Sequence, residues 1–301
     1  MDGAATPPPA VSGFTTVVGV IGDPVRHSLS PAIHNAAFAA LGLDWVYVAF
    51  PVPRGRGGAA LTAARDLGLA GINVTMPHKE DVAAACDDLT PDAAVLRSVN
   101  TVVSRPGRWM LGHSTDGPGF LAALADEGID VDGRRTLVLG AGGAARAVIL
   151  ALDGAGAEVI VAARRPEAAV AAANLAASGR AITLEEVDAL VGRADLVVNA
   201  TPLGMAGEGP PLDPDRLGPG QVVVDLVYDP PETPLLAAAR ARGARTSNGL
   251  GMLVHQAARS FELWTGVEAP LAVMRQAAVI ALAARSGSDQ IGGNWKAPSA
   301  D

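Results

Sequence analysis

The fold is decided by the stretch Val138-Leu139-Gly140-Ala141-Gly142-Gly143-Ala144-Ala145, a GxGxxA pattern between an apolar strand and an alanine-rich helix. Gly140 allows a tight turn, Gly142 lets the backbone approach a pyrophosphate, and the small Ala145 permits close packing of helix on strand. The N-terminus of such a helix offers unpaired N–H groups and a partial positive charge to phosphates. Glycines also occur in ordinary turns, but the strand–turn–helix context favours a dinucleotide-binding unit.

The end of the next strand indicates which dinucleotide binds. A site specific for NAD usually carries Asp or Glu there, because a carboxylate accepts hydrogen bonds from the ribose hydroxyls. Here the predicted strand Val159–Ala163 is followed by Arg164 and Arg165, whose guanidinium groups suit a 2′-phosphate. The alternative is a solvated basic turn ahead of a helix. The pattern predicts NADP as the cofactor.

Short β-branched runs alternate with Ala- and Leu-rich stretches on both sides of this turn, which is the pattern of parallel βαβ units. Ser30 stands where it can cap a helix that begins at Pro31. The last two helices have no strands of their own, so we expect them to pack back onto the first unit. The predicted strands are Thr15–Ile21, Trp45–Phe50, Gly71–Val74, Val99–Ser104, Thr136–Leu139, Val159–Ala163, Asp195–Asn199 and Val222–Leu226, and the further predicted helices are Ala59–Leu67, Glu80–Cys86, Gly119–Glu127, Ala144–Asp153, Met252–Thr265 and Leu271–Ala284.

These elements predict an α/β protein of two domains, one of them discontinuous. We expect the substrate-binding domain to span residues 14–115 and to be completed by residues 250–287. A Rossmann-type NADP-binding domain is expected at residues 116–249. Residues 1–13 and 288–301 lack periodicity and are expected to be flexible tails.

Composition and charge exclude several classes of protein. The 301 residues are 49% hydrophobic with a formal charge of −8, so the chain can bury a core but would repel nucleic-acid phosphates and anionic membranes. It contains no run of about 18 apolar residues, and its first residues lack the features of a secretory signal, which predicts a cytoplasmic protein. The single Cys86 excludes an internal disulfide and a cysteine-based metal cluster, and the five scattered histidines do not indicate a metal site.

Four polar clusters recur at strand ends in the first half of the chain. They are His27–Pro31, Asn73–Lys79, Val99–Thr101 and Ser114–Gly117. Because the carboxyl ends of strands line the ligand crevice of an open α/β sheet, we expect these side chains to converge there. Each could also serve only to cap a helix, close a turn or contact solvent. Together with a dinucleotide site, they favour a small polyhydroxylated substrate.

Motifs along residues 15–285 follow one another in an order that is specific to one family. They are Gly22-Asp23-Pro24, His27-Ser28-Leu29-Ser30-Pro31, His34-Asn35, Asn73-Val74-Thr75-Met76-Pro77-His78-Lys79, Ser98-Val99-Asn100-Thr101, Ser114-Thr115-Asp116-Gly117, Gly140–Ala144, Asn199-Ala200-Thr201-Pro202-Leu203-Gly204-Met205, Asp225-Leu226-Val227-Tyr228 and Asn248–Ala257. In this order they resemble the shikimate dehydrogenase family, whose second signature carries its catalytic lysine.

The resemblance implies an NADPH-dependent enzyme that reversibly reduces 3-dehydroshikimate to shikimate, in the biosynthesis of chorismate and the aromatic amino acids. Lys79 matches the family's proton-transferring lysine, and the catalytic Asp116 stands beside it. The implied substrate contacts are Ser28, Ser30, Thr75, Lys79, Asn100, Asp116, Tyr228 and Gln256. The implied cofactor contacts are Gly140, Ala141, Gly142, Gly143, Ala144, Arg164, Arg165, Asn199, Thr201, Leu226, Gly249 and Met252.

The chain departs from the family pattern at two positions, and two alternatives stay open. The family often carries a second arginine where this chain has Ala168, for which Arg165 is a candidate substitute, and Ser114 replaces a common asparagine. One alternative is a quinate/shikimate or aminoshikimate dehydrogenase with broader substrate or NAD use. The other is a non-catalytic NADP-binding module, which the presence of Lys79 and Asp116 disfavours. The sequence does not indicate the oligomeric state.

Overall fold

The described part of the chain, residues 11–288 of a computed structural model, is built on two six-stranded sheets. The tails expected to be flexible lie almost wholly outside it, at residues 1–10 and 289–301. Ser288, expected to begin the second tail, instead ends the last helix. Within the described residues no helix is both long enough and apolar enough to cross a membrane.

The first sheet and its helices come from the N-terminal part of the chain. The elements are β1 (Thr16–Gly22), α1 (Ser30–Ala40), β2 (Trp45–Pro51), α2 (Gly57–Asp66), β3 (Gly71–Val74), α3 (Lys79–Ala85), β4 (Asp88–Leu89), α4 (Pro91–Leu96), β5 (Thr101–Arg105) and β6 (Trp109–His113). The strand order is β2-β1-β3-β5-β6-β4. β1 pairs in parallel with β2 and β3, but β5 runs antiparallel to both β3 and β6.

The β5–β6 hairpin corrects the expectation of parallel pairing throughout. The sequence predicted a strand at Val99–Ser104 and none at Trp109–His113. A turn at Pro106–Arg108, with Gly107 at φ 76°, reverses the chain between them. A parallel connection needs a crossover of about a dozen residues, so this short turn allows only antiparallel pairing. The register places the start of β5 beside the end of β6, and the polar residues flanking both strands therefore meet at one edge.

The second sheet is fully parallel. Its elements and the two closing helices are α5 (Asp116–Asp126), β7 (Arg135–Leu139), α6 (Gly143–Gly154), β8 (Glu158–Ala162), α7 (Pro166–Ala173), β9 (Arg180–Ile182), α8 (Leu184–Leu190), β10 (Leu196–Asn199), β11 (Val222–Asp225), α9 (Pro234–Ala241), β12 (Arg245–Asn248), α10 (Leu250–Thr265) and α11 (Leu271–Ser288). The order β12-β11-β10-β7-β8-β9 is that of a Rossmann fold, with β7 and β10 flanking the point where the strand order reverses. The predicted fold class is confirmed.

The last two helices pack back onto the first unit, as predicted. α11 lies against α1, and α10 contacts α1, α5 and β5. Val254, Phe261 and Met274 are fully buried in one apolar cluster with Val18 and Ile33. Burying side chains of this size contributes about 1.5–3 kcal/mol each. α10 and α11 are thus an integral part of the unit that contains Lys79.

The start of α1 differs from the predicted cap. Ser30 is the first residue of the helix, the preceding Leu29 occupies the cap position, and no side chain caps the helix. The hydroxyl of Ser28 instead accepts a hydrogen bond from the backbone N–H of Ser30 at 3.2 Å. Ser30 is 7% exposed and lies close to the phenol of Tyr47.

Most other predicted elements are present with their ends displaced by a few residues. The sequence missed the short elements β4, α4, α7, β9, α8, α9 and β12. The helices among them are no longer than eight residues, which is too short for an amphipathic period to stand out. Their absence from the prediction does not affect the placement of the polar clusters.

Candidate active site

Lys79 and Asp116 form a partly buried ion pair at the starts of two helices. Lys79 begins α3 and Asp116 begins α5, and Lys79 Nζ lies 2.5 Å from Asp116 Oδ2. Their side chains are only 18% and 12% exposed, so the pair is less screened by solvent than a surface ion pair. Lys79 is one of only two lysines in the chain, the other being Lys296. The presence of Lys79 at this position is therefore not explained by a surface rich in lysines.

Asn100 connects this ion pair to the rest of the polar cluster. Its side-chain N–H group donates to Asp116 Oδ1 at 2.8 Å and to the hydroxyl of Thr115 at 2.9 Å. Its side-chain oxygen Oδ1 accepts from the backbone N–H of Thr115 at 2.7 Å. Gln256 Oε1 lies 3.4 Å from its side-chain nitrogen. The structure thus unites Lys79, Asn100, Asp116 and Gln256, which the sequence had named separately.

The other predicted substrate residues are not joined to the ion pair by hydrogen bonds among the described residues. Ser28 precedes α1 and Ser30 begins it, and the hydroxyl of Ser28 accepts from the backbone N–H of Ser30. Thr75 follows β3 and packs beside the end of β1, where its backbone N–H bonds a carbonyl of that strand. Tyr228 follows the second sheet but packs against the apolar cluster of the first unit, and burial raises the pKa of its phenol. These side chains are partly accessible except Ser30, which is buried.

The glycine turn has the backbone that a dinucleotide needs. Gly140 has φ 117°, and a Cβ there would lie 2.9 Å from the carbonyl oxygen of Ala200. At Gly142 a Cβ would meet no atom within 4 Å, so the open N-terminus of α6 is accessible to a phosphate. At Gly143 a Cβ would lie 3.7 Å from Lys79 Cδ. The turn therefore fits a dinucleotide and lies directly beside the ion pair.

Arg164 and Arg165 follow β8 and have exposed side chains, as a site for a terminal phosphate requires. The first acidic residue after this strand is Glu167, inside α7. Ala168 stands on the same helix, so the family's second arginine has no counterpart at that position. The electrostatics of this corner favour an added phosphate over a bare ribose.

The loop after β10 is held from beneath by buried polar groups. Asn199 is fully buried, and its side chain donates to Leu203 O and to Asp225 while accepting from the N–H and hydroxyl of Thr201. Burial raises the pKa of Asp225, and Thr233 donates a hydrogen bond to it. The side chain of Asn199 thus has no free group for a cofactor, and its contribution is to hold the loop that carries Thr201.

Leu226, Gly249 and Met252 lie on the other flank of the nucleotide helix. Leu226 and Met252 pack against the apolar cluster that contains α6 and β7. A Cβ at Gly249 would lie 2.0 Å from the carbonyl oxygen of Leu226, so only glycine fits where the chain leaves the second sheet.

Arg146 is a residue of the site that the sequence did not single out. It lies in the second turn of α6, and its guanidinium donates to the carbonyl oxygen of Leu96 at 2.5 Å and to Glu80 at 3.4 Å. It therefore ties the nucleotide helix to α3 and α4 of the first unit. A basic residue shortly after the glycine turn was the only local signal.

Ser114, which replaces the family's common asparagine, lines a cavity of about 300 Å³. Neither Lys79 nor Asp116 lines this cavity. His113, Thr115, Arg259 and Glu262 also line this cavity. Burial, with the charge of a nearby arginine, lowers the pKa of His113. Among the described residues no group of three His, Cys, Asp or Glu side chains is placed to hold a metal ion.

A Rossmann sheet whose glycine turn lies against a partly buried Lys–Asp pair, with the lysine supplied by a second α/β unit, defines a dinucleotide-dependent dehydrogenase. Family profiles match the shikimate dehydrogenase substrate-binding domain at residues 20–102, shikimate/quinate 5-dehydrogenase at 123–204 and the shikimate 5′-dehydrogenase C-terminal domain at 249–279. The chain belongs to the shikimate dehydrogenase family.

Relatives extend over nearly the whole chain. Shikimate dehydrogenase (NADP⁺) of Methanopyrus kandleri is 48% identical, over 89% of this chain and 96% of its own. The crystal structure of Thermus thermophilus shikimate 5-dehydrogenase with NADP(H) and shikimate is 41% identical, with a TM-score of 0.82 over 88% of this chain and 99% of that one. Quinate dehydrogenase of Corynebacterium glutamicum, crystallised with NAD, is 35% identical with a TM-score of 0.83, and the match covers 88% and 99% of the two chains.

Proposed function

We propose that this protein is an NADP-dependent shikimate dehydrogenase, which reversibly reduces 3-dehydroshikimate to shikimate in chorismate and aromatic amino acid biosynthesis. The observation that carries the proposal is the Lys79–Asp116 pair at 2.5 Å, which lies against Gly143 of the nucleotide turn. A lysine ammonium group beside a dinucleotide-binding turn can donate the proton that a carbonyl reduction requires. The 48% sequence identity to the shikimate dehydrogenase (NADP⁺) of M. kandleri supports the same activity.

The dinucleotide is assigned to the turn Gly140, Ala141, Gly142, Gly143 and Ala144, where the first N–H groups of α6 are available to a phosphate. Arg164 and Arg165 are assigned to the 2′-phosphate, Thr201 and the supporting Asn199 to the loop over the cofactor, and Leu226, Gly249 and Met252 to the opposite flank. When bound, NADPH supplies the hydride for the ring carbonyl carbon.

The substrate is assigned to the polar cluster of the first unit. The hydroxyls of Ser28 and Ser30 are assigned as hydrogen-bond donors to the ring carboxylate. Hydroxyl groups can donate in this way without carrying a permanent charge. Asn100, Asp116 and Gln256 face the ring hydroxyls from the other side of the cluster. Thr75 and Tyr228 complete the set of assigned contacts. A network of fixed donors and acceptors of this kind orients a polyhydroxylated ring.

Proton transfer is assigned to Lys79. In the reduction direction its ammonium group donates a proton to the oxygen of the carbonyl that becomes the hydroxyl, and in oxidation its amine accepts that proton. Asp116 Oδ2 holds Nζ at 2.5 Å, and Asn100 holds the other carboxylate oxygen. The two hydrogen bonds limit rotation of the carboxylate, so the Lys79 side chain has a defined direction.

We also propose that the substrate domain comprises residues 14–115 and 250–287, with the NADP domain at 116–249. The sheets support this division, since the strands of the first end at His113 and those of the second lie between Arg135 and Asn248. A cytoplasmic location is proposed because an NADPH-linked reduction draws on the soluble NADPH pool, and fractionation of cells tests it.

The test is steady-state turnover of shikimate and quinate by the purified protein, each with NADP⁺ and with NAD⁺. We expect the highest kcat/KM with shikimate and NADP⁺. A quinate/shikimate or aminoshikimate dehydrogenase, like the NAD-bound quinate dehydrogenase of C. glutamicum, would show the opposite preference for substrate, cofactor or both. Absence of turnover with every pair would contradict the proposed activity.

A further inference from the structure

The buried side-chain amide of Asn73 lies beneath the candidate active site and contacts four other residues. Asn73, 6% exposed, is the last residue of β3 that pairs with β5. Its Oδ1 accepts from the hydroxyl of Tyr47 at 2.7 Å. Its Nδ2 is directed at the carbonyl oxygen of Asn100 at 3.0 Å and at the hydroxyls of Thr101 and Ser260, at 3.0 and 3.1 Å. Both polar atoms are therefore engaged by protein groups, which leaves no free group for a substrate contact.

This amide is connected to the ion pair through a single residue. Asn73 contacts the backbone of Asn100, and the side chain of Asn100 donates to Asp116 Oδ1. Asp116 Oδ2 in turn holds Lys79 Nζ. The path from Asn73 to the proton-transferring amine thus runs through three hydrogen bonds, and it passes from backbone to side chain only within Asn100.

The bond from Asn73 to Asn100 is not needed to satisfy the backbone. The carbonyl oxygen of Asn100 already accepts from the backbone N–H of Val74 at 2.8 Å. The hydroxyls of Thr101 and Ser260 also bond each other at 2.8 Å. Burying an amide costs free energy that an apolar side chain of the same size would not. The bond from Asn73 to Asn100 is thus additional to backbone pairing, and it points to a role in orienting Asn100.

We infer that Asn73 is a positioning residue for proton transfer, acting through Asn100 and Asp116 on Lys79. The inference rests on the proposed function, since it assigns a role within that reaction. Ser260 of α10 holds the amide from the side that carries Gln256, and the hydroxyl of Tyr47 holds it from below.

The chain offers a clean way to observe Lys79 without relying on turnover. Its only lysines are Lys79 and Lys296, so acetylation by acetic anhydride gives two peptides that mass spectrometry separates. The pH dependence of labelling at Lys79, with Lys296 as the internal reference, reports how strongly the carboxylate holds the amine. The kcat profile for shikimate oxidation with NADP⁺ against pH is the second readout.

The main variant is Asn73→Leu, which keeps the volume and leaves Thr101 and Ser260 bonded to each other. Ser260→Ala is a milder second variant that keeps the amide and removes one partner. Trp264→Phe is the matched control, because Trp264 also ties α10 to β5, by a 2.9 Å bond to Val102 O outside this network.

We expect Asn73→Leu to lower kcat about ten- to a hundredfold with a smaller change in KM, as loss of orientation does. The Lys79 labelling midpoint and the kcat profile should move by about half a pH unit or more, the equivalent of one hydrogen bond. Ser260→Ala should move both in the same direction by less. Trp264→Phe should lower thermal stability and leave both midpoints where the wild type has them.

The inference is overturned if Asn73→Leu and Ser260→Ala lower only thermal stability and keep the wild-type midpoints. If Asn73→Leu does not fold, the midpoints of Ser260→Ala decide in the same way. If the wild type turns over neither shikimate nor quinate, the proposed function fails. The labelling midpoints still test the positioning of Lys79, so the two failures are distinguishable.

Discussion

His34 makes stability of this protein depend on pH in a way that one substitution should remove. The residue is fully buried, and neither ring nitrogen has a hydrogen-bond partner among the described residues. Its ring stacks on Tyr47 with centroids 4.4 Å apart and planes 3° from parallel. Burial lowers the pKa of His34 from 6.5 to about 3, because the apolar surroundings disfavour the charged ring.

The sign and size of the effect follow from this pKa difference. Below pH 6.5 the unfolded chain binds a proton at His34 that the folded protein excludes until about pH 3, so the free energy of unfolding falls as pH falls through this window. Each pH unit is equivalent to about 1.4 kcal/mol, so lowering the pH from 7 to 5 costs about 2 kcal/mol at this position. That is a substantial fraction of the stability of an ordinary domain.

The perturbation is His34→Phe, which retains an aromatic face toward Tyr47 and cannot titrate. Urea unfolding at pH 7, 6 and 5, followed by tryptophan fluorescence, suits the site because Trp45 and Trp264 pack in the same apolar cluster. We expect the variant to gain about 2 kcal/mol relative to the wild type between pH 7 and 5, whatever its offset at pH 7. His27→Gln, at an exposed position, is the control. Parallel curves for wild type and His34→Phe would refute the reasoning.

Three further experiments test the proton donor, the cofactor site and the packing of α5 on α10. Lys79→Ala should lower kcat by about two to four decades with a much smaller change in KM, as measured by steady-state kinetics. A near-normal kcat in this variant would show that Lys79 does not transfer the proton. Replacing Arg164 and Arg165 by Ser should raise the KM for NADP⁺ about 10- to 100-fold more than that for NAD⁺, since only NADP⁺ has the 2′-phosphate, and equal losses would contradict that role. Gly119→Ala would place a Cβ 2.7 Å from the backbone of α10, so thermal unfolding should show a loss of about 1–3 kcal/mol, whereas Gly154→Ala, with no atom within 4 Å, should lose nothing.

The local features of the fold were predictable because short-range physics decides them. A strand, a glycine turn and a helix within one short stretch require only backbone geometry and packing of adjacent residues, and Gly140 and Ala145 behave as their types predict. The arginines after β8 are likewise a local matter. The β5–β6 hairpin was missed because Trp109–His113 was not recognised as a strand; once that strand is present, the short turn at Pro106–Arg108 allows only antiparallel pairing.

The site was predictable as a set of residues but not as a geometry. The motifs named Lys79, Asn100, Asp116 and Gln256, yet they did not indicate that one asparagine would hold the aspartate that holds the lysine. The buried Asn73 lay within a quoted motif without a role.

Only the tertiary structure decided these partnerships, because the groups come from distant parts of the chain. Asn73 and Ser260 are 187 positions apart, and Asn100 and Gln256 are 156 apart. A hydrogen bond forms over about 3 Å and depends on direction, so it exists only after both sheets and α10 have packed. Residue types determined which chemistry this protein could hold, and packing of the sheets and helices determined which donor faces which acceptor.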